Sequence, residues 1–574
     1  MKTVRLFKNS LILLCLLVFA FPLWGDYYYT DDPEMLNLIH ICRRMGKVLP
    51  FSSFPVHGSD ILDFADFLLQ DKSASRLNET DRALLEELID GFEKQRKGEI
   101  ILKGALAAAY EHRFSAGAFT IEGEEVPNAI DVHRAYLDFS PVLGLDAAVG
   151  TFKGIWIAGR FELRPSWEND YSPMNNFFTK VDINYDIVNK GILAWNGKYV
   201  NLSVSRNSVH WGNPQGSTLY PSALLPHLDH VDMNVPLGPF SFDYMFATVM
   251  PKRSKFRDVD SWIDRDYPFP EYPVRDPKNP LGDYFGFLRD RSDVNPSVIL
   301  MAAHRLQWNF GRVKAGVGGT IVYARSNNQF LVTDFLPVIV YHNSDSVPNN
   351  LALLLDAEWL IVPGLSLSLM VGFDDINAQS FGLPDGQIPT IPGAVLQLEY
   401  SLNSKKIFQS YLLETGYTHY LWGNFAYTDD PKEWYGVHLA RAIYRYTPDK
   451  YAVLLPLTSP YGPGSLWGKL KADIYFHNVN IHAGADFLFL AKKEGVNLVD
   501  TPYKADNALN SFDLFYFSLD LPVSYTLRTK AGALDFTISP AFLWGTEGTA
   551  FECTLGIKWS MKGSRFFSIH RKAD

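Results

Sequence analysis

The chain has 574 residues, 14% of them aromatic, and a formal net charge of −10. That acidic balance excludes a broad nucleic-acid surface, which needs basic side chains to neutralise phosphates. A soluble chain this long would be expected to divide into about three or four domains, yet no interdomain linker breaks it up, which points to one large architecture.

The first 25 residues, "MKTVRLFKNSLILLCLLVFAFPLWG", have the pattern of a secretory signal peptide. Lys2, Arg5 and Lys8 form a positive start. Leu11 to Phe21 is an apolar run too short to span a bilayer comfortably. Cleavage near Gly25 would move the formal charge from −10 to −13. Cys15 lacks small residues just before it, so a lipid attachment site is not expected. Only Cys42 and Cys553 would remain, too far apart in sequence to form a disulfide framework. No later segment is apolar for the roughly eighteen residues that a membrane helix needs. An exported chain without such a helix is either free or a β-barrel.

Residues 26–98 differ in texture from the rest and are expected to form a small periplasmic helical bundle. "PEMLNLIHICRRMG" places Met35, Leu38, Ile39 and Cys42 at helical spacing, with Gly46 as the stop. "GSDILDFADFLLQ" follows, with Ser59 or Asp60 as N-cap and Ile61, Phe64 and Leu68 on one face. "NETDRALLEELIDGFEKQ" supplies a third helix, capped by Asn78 or Thr80. A bundle this small is expected to pack on something larger.

From Glu99 the pattern turns to strands. "FSFDYMFATV" (240–249) sets Phe240, Phe242, Tyr244 and Phe246 on one face and Asp243 on the other. "GLSLSLMVGFDD" (364–375) alternates leucines with Ser366 and Ser368. Residues 469–491 and several later runs behave likewise. These runs are long for ordinary strands but suit segments tilted across a bilayer. About sixteen to eighteen strands can be counted, with 165–200 hardest to parse. Tight hairpins fall at Phe310-Gly311 and Pro363-Gly364, whereas 251–296, 326–348, 421–451 and 492–510 are long connections. Short turns at one end and long loops at the other is the outer-membrane pattern. No repeat of fixed period supports a propeller. The expected fold is therefore mainly β: a large antiparallel transmembrane barrel over 99–574 behind the helical bundle.

"SVSRNSVHWGNPQGSTLYPSALLPHLD" (203–229) places Arg206 in a strand and follows it with a loop stiffened by Pro214, Pro221 and Pro226. A charge facing lipid near the midplane costs about 2–4 kcal/mol. Arg206 is thus expected at a rim or turned inward, paired with an acid such as Asp229, Asp356 or Asp375. The loop reads as an inward-folded support for the wall, or as a Trp-bearing platform for a sugar ring.

The set Arg206, Trp211-Gly212, Gly216-Ser217, Leu219, Ser222 and Pro226 resembles the capsule assembly Wzi family of outer-membrane proteins. "AHRLQWNFGRVKAGVGGTIVYAR" (303–325), "NNLALLLDAEWLIVPGLSLSLMVGFDDI" (349–376), "LLETGYTHY" (412–420) and "LTSPYGPGSLWGKLKADIYF" (457–476) are similar to that family's strands. "GKVLPFSSFPVHGSDILDFADFL" is similar to its N-terminal region. The resemblance implies an eighteen-stranded barrel, a periplasmic helical bundle and a lectin-like hold on surface polysaccharide.

Catalytic patterns are poor. Asp374 and Asp375 are adjacent and so point to opposite faces of a strand. His227 and His230 flank Asp229 without further ligands at a metal-binding spacing. Ser205 and His210 are the one local serine–histidine pair. No phosphate loop, nucleophile elbow or zinc-protease motif appears. The reading is a non-enzymatic barrel without cofactor or metal, located in the outer membrane and expected to be a monomer. Its expected partners are outer-membrane lipid, the barrel assembly machinery and surface polysaccharide. Arg206, Trp211, Asp229, Arg305 and Asp375 are the candidate polysaccharide-binding or lumen-charge residues. The alternatives are a porin-like solute channel and a structural surface protein or adhesin.

Overall fold

The computed structural model describes residues 27–28, 33–96, 99–121, 124–125, 143–150, 154–163, 190–197, 199–222, 225, 227–248, 298–325, 332–335, 349–376, 390–403, 407–423, 442–445, 453–476, 479–493, 496, 512–529, 531–546 and 548–568. The signal peptide, most of the four long connections and the tail beyond 568 lie outside the described residues.

Eighteen antiparallel strands close into a barrel. They are β1 (Glu99–Ile121), β2 (Leu143–Gly150), β3 (Ile155–Leu163), β4 (Lys190–Asn196), β5 (Asn201–Asn207) and β6 (Leu228–Leu237). Next come β7 (Phe240–Thr248), β8 (Val298–Asn309), β9 (Val313–Arg325), β10 (Asn349–Val362), β11 (Leu365–Asp375) and β12 (Ile391–Asn403). The last are β13 (Ile407–Thr418), β14 (Ser465–Phe476), β15 (Ile481–Lys492), β16 (Leu514–Asp520 and Val523–Thr529), β17 (Gly532–Gly545) and β18 (Gly548–Ser568). Both pieces of β16 lie between β15 and β17, so they act as one strand broken near Pro522. The ring closes where β18 pairs with β1, from Gly548 opposite Phe119 to Ser568 opposite Glu99. Closure leaves no sheet edge, and hydrocarbon demands that, because an unpaired backbone group there has no water to turn to.

The alternation expected of a two-solvent strand is present. On β11 the leucines point outward, while Ser366, Ser368 and Met370 are buried inside. On β13 Leu413 is exposed and Glu414 buried; on β12 Leu396 and Leu398 are exposed, and Gln397 and Glu399 buried. The outer band is framed by aromatic pairs. Phe240–Trp308, Tyr400–Tyr411 and Tyr525–Phe536 lie toward the end with the short turns. Phe517–Trp544 and Phe542–Phe551 lie toward the other. An apolar band between two aromatic girdles is the surface a bilayer covers.

Among the described residues ahead of the barrel, three helices form a bundle: α1 (Pro33–Met45), α2 (Gly58–Gln70) and α3 (Glu79–Arg96). Met35, Leu38, Ile39 and Cys42 are buried in its core, with Ile61, Leu68 and Leu85. Gly46 adopts φ +83 and ends α1, a conformation that favours glycine. The expected cap of α2 is corrected. The helix begins at Gly58, so its N-cap position is His57, two or three residues earlier than expected, and His57 makes no side-chain cap. Asn78 does cap α3, accepting from the Asp81 amide at 2.7 Å. The bundle sits at the short-turn end of the barrel. The Val48 amide donates to Gly311 in one tight turn, and the Gly364 amide in another donates to Arg43, both at 2.9 Å.

Leu413→Arg would place a charge in the middle of the outer band. Folding into lipid vesicles, followed by urea titration, is expected to show a loss of about 2–4 kcal/mol. An unchanged midpoint would mean that this face does not meet hydrocarbon.

Candidate functional site

The segment 208–222 leaves β5 and folds into the barrel. Its residues His210–Trp211 pair antiparallel with Ser53–Phe54 from the bundle, and the Gly212 amide donates to Ser52 at 2.6 Å. Farther along, the Ser217 amide donates to Glu414 Oε2 at 2.7 Å, and Gln397 Nε2 donates to the Ser217 carbonyl at 3.0 Å. Gly216 has a steric reason: a Cβ there would lie 1.9 Å from Gln397 Nε2. The inward loop and the bundle therefore make one plug, stitched by backbone bonds.

A buried charged layer fixes this plug to the wall. Arg43, at the end of α1, forms an ion pair with Glu399, lies 3.7 Å from Glu358, and donates to Gln215 at 3.3 Å. Lys314 pairs with Glu358 at 2.9 Å and donates to the carbonyls of Leu49 at 3.1 Å and Phe51 at 3.0 Å. Arg305 grips Asp356 through two bonds, at 2.5 and 3.0 Å, and also donates to Ser52 and to Gln307. The pair spans β9 from β8 to β10. It can do so because position 316 is glycine: a Cβ there would lie 2.5 Å from both Arg305 Nη2 and Asp356 Oδ2. Each cation has carboxylate and carbonyl acceptors, as charges this buried require.

Toward the long-loop end an apolar layer crosses the lumen. Leu219 and Tyr220 of the inward loop meet Leu421 and Trp422 after β13, and Leu457 and Tyr461 before β14. Trp422 lies over the directly paired glycines 372 and 393, where side chains would collide with its ring. Asp374 joins two of the segments, since Tyr220 donates its hydroxyl hydrogen to Oδ1 at 3.3 Å and the Gly423 amide donates to Oδ2 at 3.2 Å. Elsewhere the inner wall is wetter. Lys471 pairs with Asp473 at 3.2 Å while 45% exposed, and Asp146–Arg160 forms a two-bond pair with both side chains 39% exposed.

The structure separates the five sequence-derived candidates. Arg206 and Asp229 face each other across β5 and β6 and pair through bonds of 2.6 and 2.7 Å. Of the three acids considered for Arg206, Asp229 is thus its partner. Arg206 is the penultimate residue of β5, at the strand end as the rim alternative expected, and it shares the outward face with Leu202 and Val204, its charge matched by the acid. Trp211 is buried with the residues of the apolar layer, paired with Ser53 of the bundle. Arg305 is buried against the plug. Asp375 ends β11 opposite Ile391 beyond a register shift, and its side chain lies outside the described part of the structure. The inward residue of that acidic pair is Asp374. Ser205 is bonded to His230 rather than His210: its hydroxyl donates to Nε2 at 2.9 Å, while Nδ1 donates to the Leu228 carbonyl. Among the described residues no three side chains converge on a metal site.

Arg43, Lys314, Glu358, Gln397, Glu399 and Glu414 were not among the sequence candidates. Their signal lies in parity: each strand member holds the inward register of an alternating run. Titration of the plug is opposed in sign. Burial depresses His57 to about 4, despite its bond to Asn196, and also depresses His210 to about 4 despite its bond to the Asn213 carbonyl. Burial, together with Asp63 and Asp243, raises Asp60 to about 7.

These features define a plugged barrel of the outer-membrane type. The sequence matches no protein-family model and no curated protein. Among solved structures the fold is similar to Wzi of Escherichia coli, described as an outer-membrane protein involved in group 1 capsule assembly and a carbohydrate-binding β-barrel. The two share 11% identity over 93% of this chain and 99% of Wzi, with a TM-score of 0.52. At that identity the likeness establishes the fold alone. Pseudomonas aeruginosa OpdO aligns over 81% of this chain and 97% of its own at 10% identity, with a TM-score of only 0.38.

Gly316→Val would part Arg305 from Asp356. The expected cost is about 3–5 kcal/mol, as for a broken buried pair, with residues 47–57 becoming open to protease. Resistance equal to the parent protein would show that the pair does not hold the plug. For Asp60 the bound state holds the extra proton between its unfolded value near 3.8 and about 7, so plug stability falls as pH rises through that range. For His57 and His210 the unfolded state holds the extra proton, so stability falls as pH drops from 6.5 toward about 4. Hydrogen exchange of α2 in Asp60→Asn is expected to lose the decline that comes with rising pH up to about 7 and to keep the one that comes with falling pH.

Proposed function

We propose that the protein is a non-enzymatic outer-membrane barrel that binds or anchors surface polysaccharide, with the barrel as its anchor. The observation that carries this reading is the occupied lumen. A chain that fills its own barrel with a stitched plug and an apolar layer is built to hold a position rather than to conduct. The fold shared with Wzi supports it, because that protein is described as a carbohydrate-binding barrel of capsule assembly. In outer-membrane barrels short turns face the periplasm, so the helical bundle is placed there, behind a signal peptide. The long loops are placed at the cell surface, where a polymer would be met.

The second reading, a solute channel, draws on the half-exposed ion pairs of β2, β3 and β14, which put water inside part of the barrel. The apolar layer around Trp422 and Tyr461 joins the inward loop to strands from β7 to β17 and so narrows the lumen. A surface structural protein or adhesin would use the same long loops on another cell.

In planar bilayers the intact protein is expected to give no large, steady single-channel currents. On a glycan array it is expected to retain long acidic or neutral polysaccharides. Stable porin-like conductance would favour the channel, and an array without any bound glycan would sink the polysaccharide reading.

A further inference from the structure

A cavity of about 810 Å³ lies between the bundle and the wall at the short-turn end. One side is aromatic, formed by Phe51, Phe54, Phe64 and Phe67. The other carries Asp60 and Asp63 from α2, and Asp232 and Asp243 from β6 and β7. Lys47 is the one lysine or arginine in the lining. Its ammonium is already taken up, 3.0 Å from Asp71 and 4.8 Å from the centre of the Phe67 ring. His57 points its Nδ1 hydrogen at Asn196 and adds no positive charge while neutral. Asp243 accepts from Asn234 at 2.8 Å. For Asp60 and Asp232 there is neither a hydrogen bond nor an ion pair among the described residues.

We propose that this cavity binds an organic cation, a ligand with a protonated or quaternary amine on a compact apolar body. Three features of the geometry agree. The carboxylates outnumber the cations and leave two acids without a partner. They come from α2 and from two barrel strands, and no three side chains among the described residues are placed to hold a metal ion. A charge that keeps an apolar surface suits such a space better than a bare ion does. Lys47 supplies the third feature: a tethered ammonium resting on Phe67 shows that the aromatic side accepts a cation face-on. The volume exceeds what one small amine needs, so an amino-bearing sugar or a short polyamine would also fit. The inference does not rest on the polysaccharide reading, since the cavity lies at the opposite end from the long loops.

The test is calorimetric titration of the full chain in detergent with tetramethylammonium chloride, against sodium chloride at matched ionic strength. tert-Butanol serves as the neutral match in shape, and glucose as the neutral sugar. Tetramethylammonium is expected to bind and the two neutral probes are not. Asp60→Asn with Asp232→Asn should weaken binding about tenfold or more. Phe67→Ala should weaken it about two- to fivefold; that side chain is 48% exposed, so its loss spares the fold. If the double variant fails to fold, Phe67→Ala decides alone. Equal binding of glucose and tetramethylammonium would make this a neutral-sugar site and overturn the proposal. So would an absence of tetramethylammonium binding, or affinity unchanged in the variants.

Discussion

Hydrocarbon offers no hydrogen-bond partner, and the whole architecture answers that constraint. Every strand must be paired on both sides, so the sheet must close. Once closed, each strand has one face in lipid and one in the interior, and side chains sort by parity. Leu396, Leu398 and Leu413 serve the first solvent, and Gln397, Glu399 and Glu414 the second. Even the exception obeys the rule. Arg206 stands on the outward face only with Asp229 directly opposite, each neutralising the other.

Inside, the same parity would by default produce a wet pore. This chain fills much of it instead. The filling comes in layers whose chemistry differs: buried charge around Arg43, Lys314 and Arg305, then apolar rings around Trp422. The charged layer is the more telling. Breaking one buried pair is costly, whereas replacing all of it by apolar groups need not be. Such a layer therefore says less about gross stability than about position. It specifies which carbonyl each ammonium must find, and so where the plug must sit. Gly216 and Gly316 record the same demand in steric form, because each vacates the place that a polar side chain from a neighbouring strand occupies.

Much of this was legible in the residues. The helices at 33–96 and the turns at Gly311 and Gly364 follow from local spacing. The outer-membrane class follows from alternation too long for a soluble sheet. The inward fold of 208–222 was one of two readings for its proline- and glycine-rich loop. The partnerships were harder. Trp211 looks from sequence like a ring available for stacking; only the tertiary fold shows it buried beside the bundle. Asp374 and Asp375 are indistinguishable as a pair until one follows parity down from Ser366. Arg43 is a charge buried along with the apolar face of its helix, a conflict that signals a distant partner without naming it. Its partners lie hundreds of residues away, on strands that local patterns cannot place around a ring.

The seam of the barrel has a consequence for biogenesis. β1 and β18 are the first and last strands to emerge, and their pairing runs from Glu99–Ser568 to Phe119–Gly548. The cylinder stays an open ribbon until β18 has been delivered, and contacts this remote form slowly. The helices ahead of Glu99 are made first, tethered to that seam by a link of two residues. They cannot dock until the acids that Arg43 pairs with, on β10 and β12, are in place. The socket of this early domain is completed last.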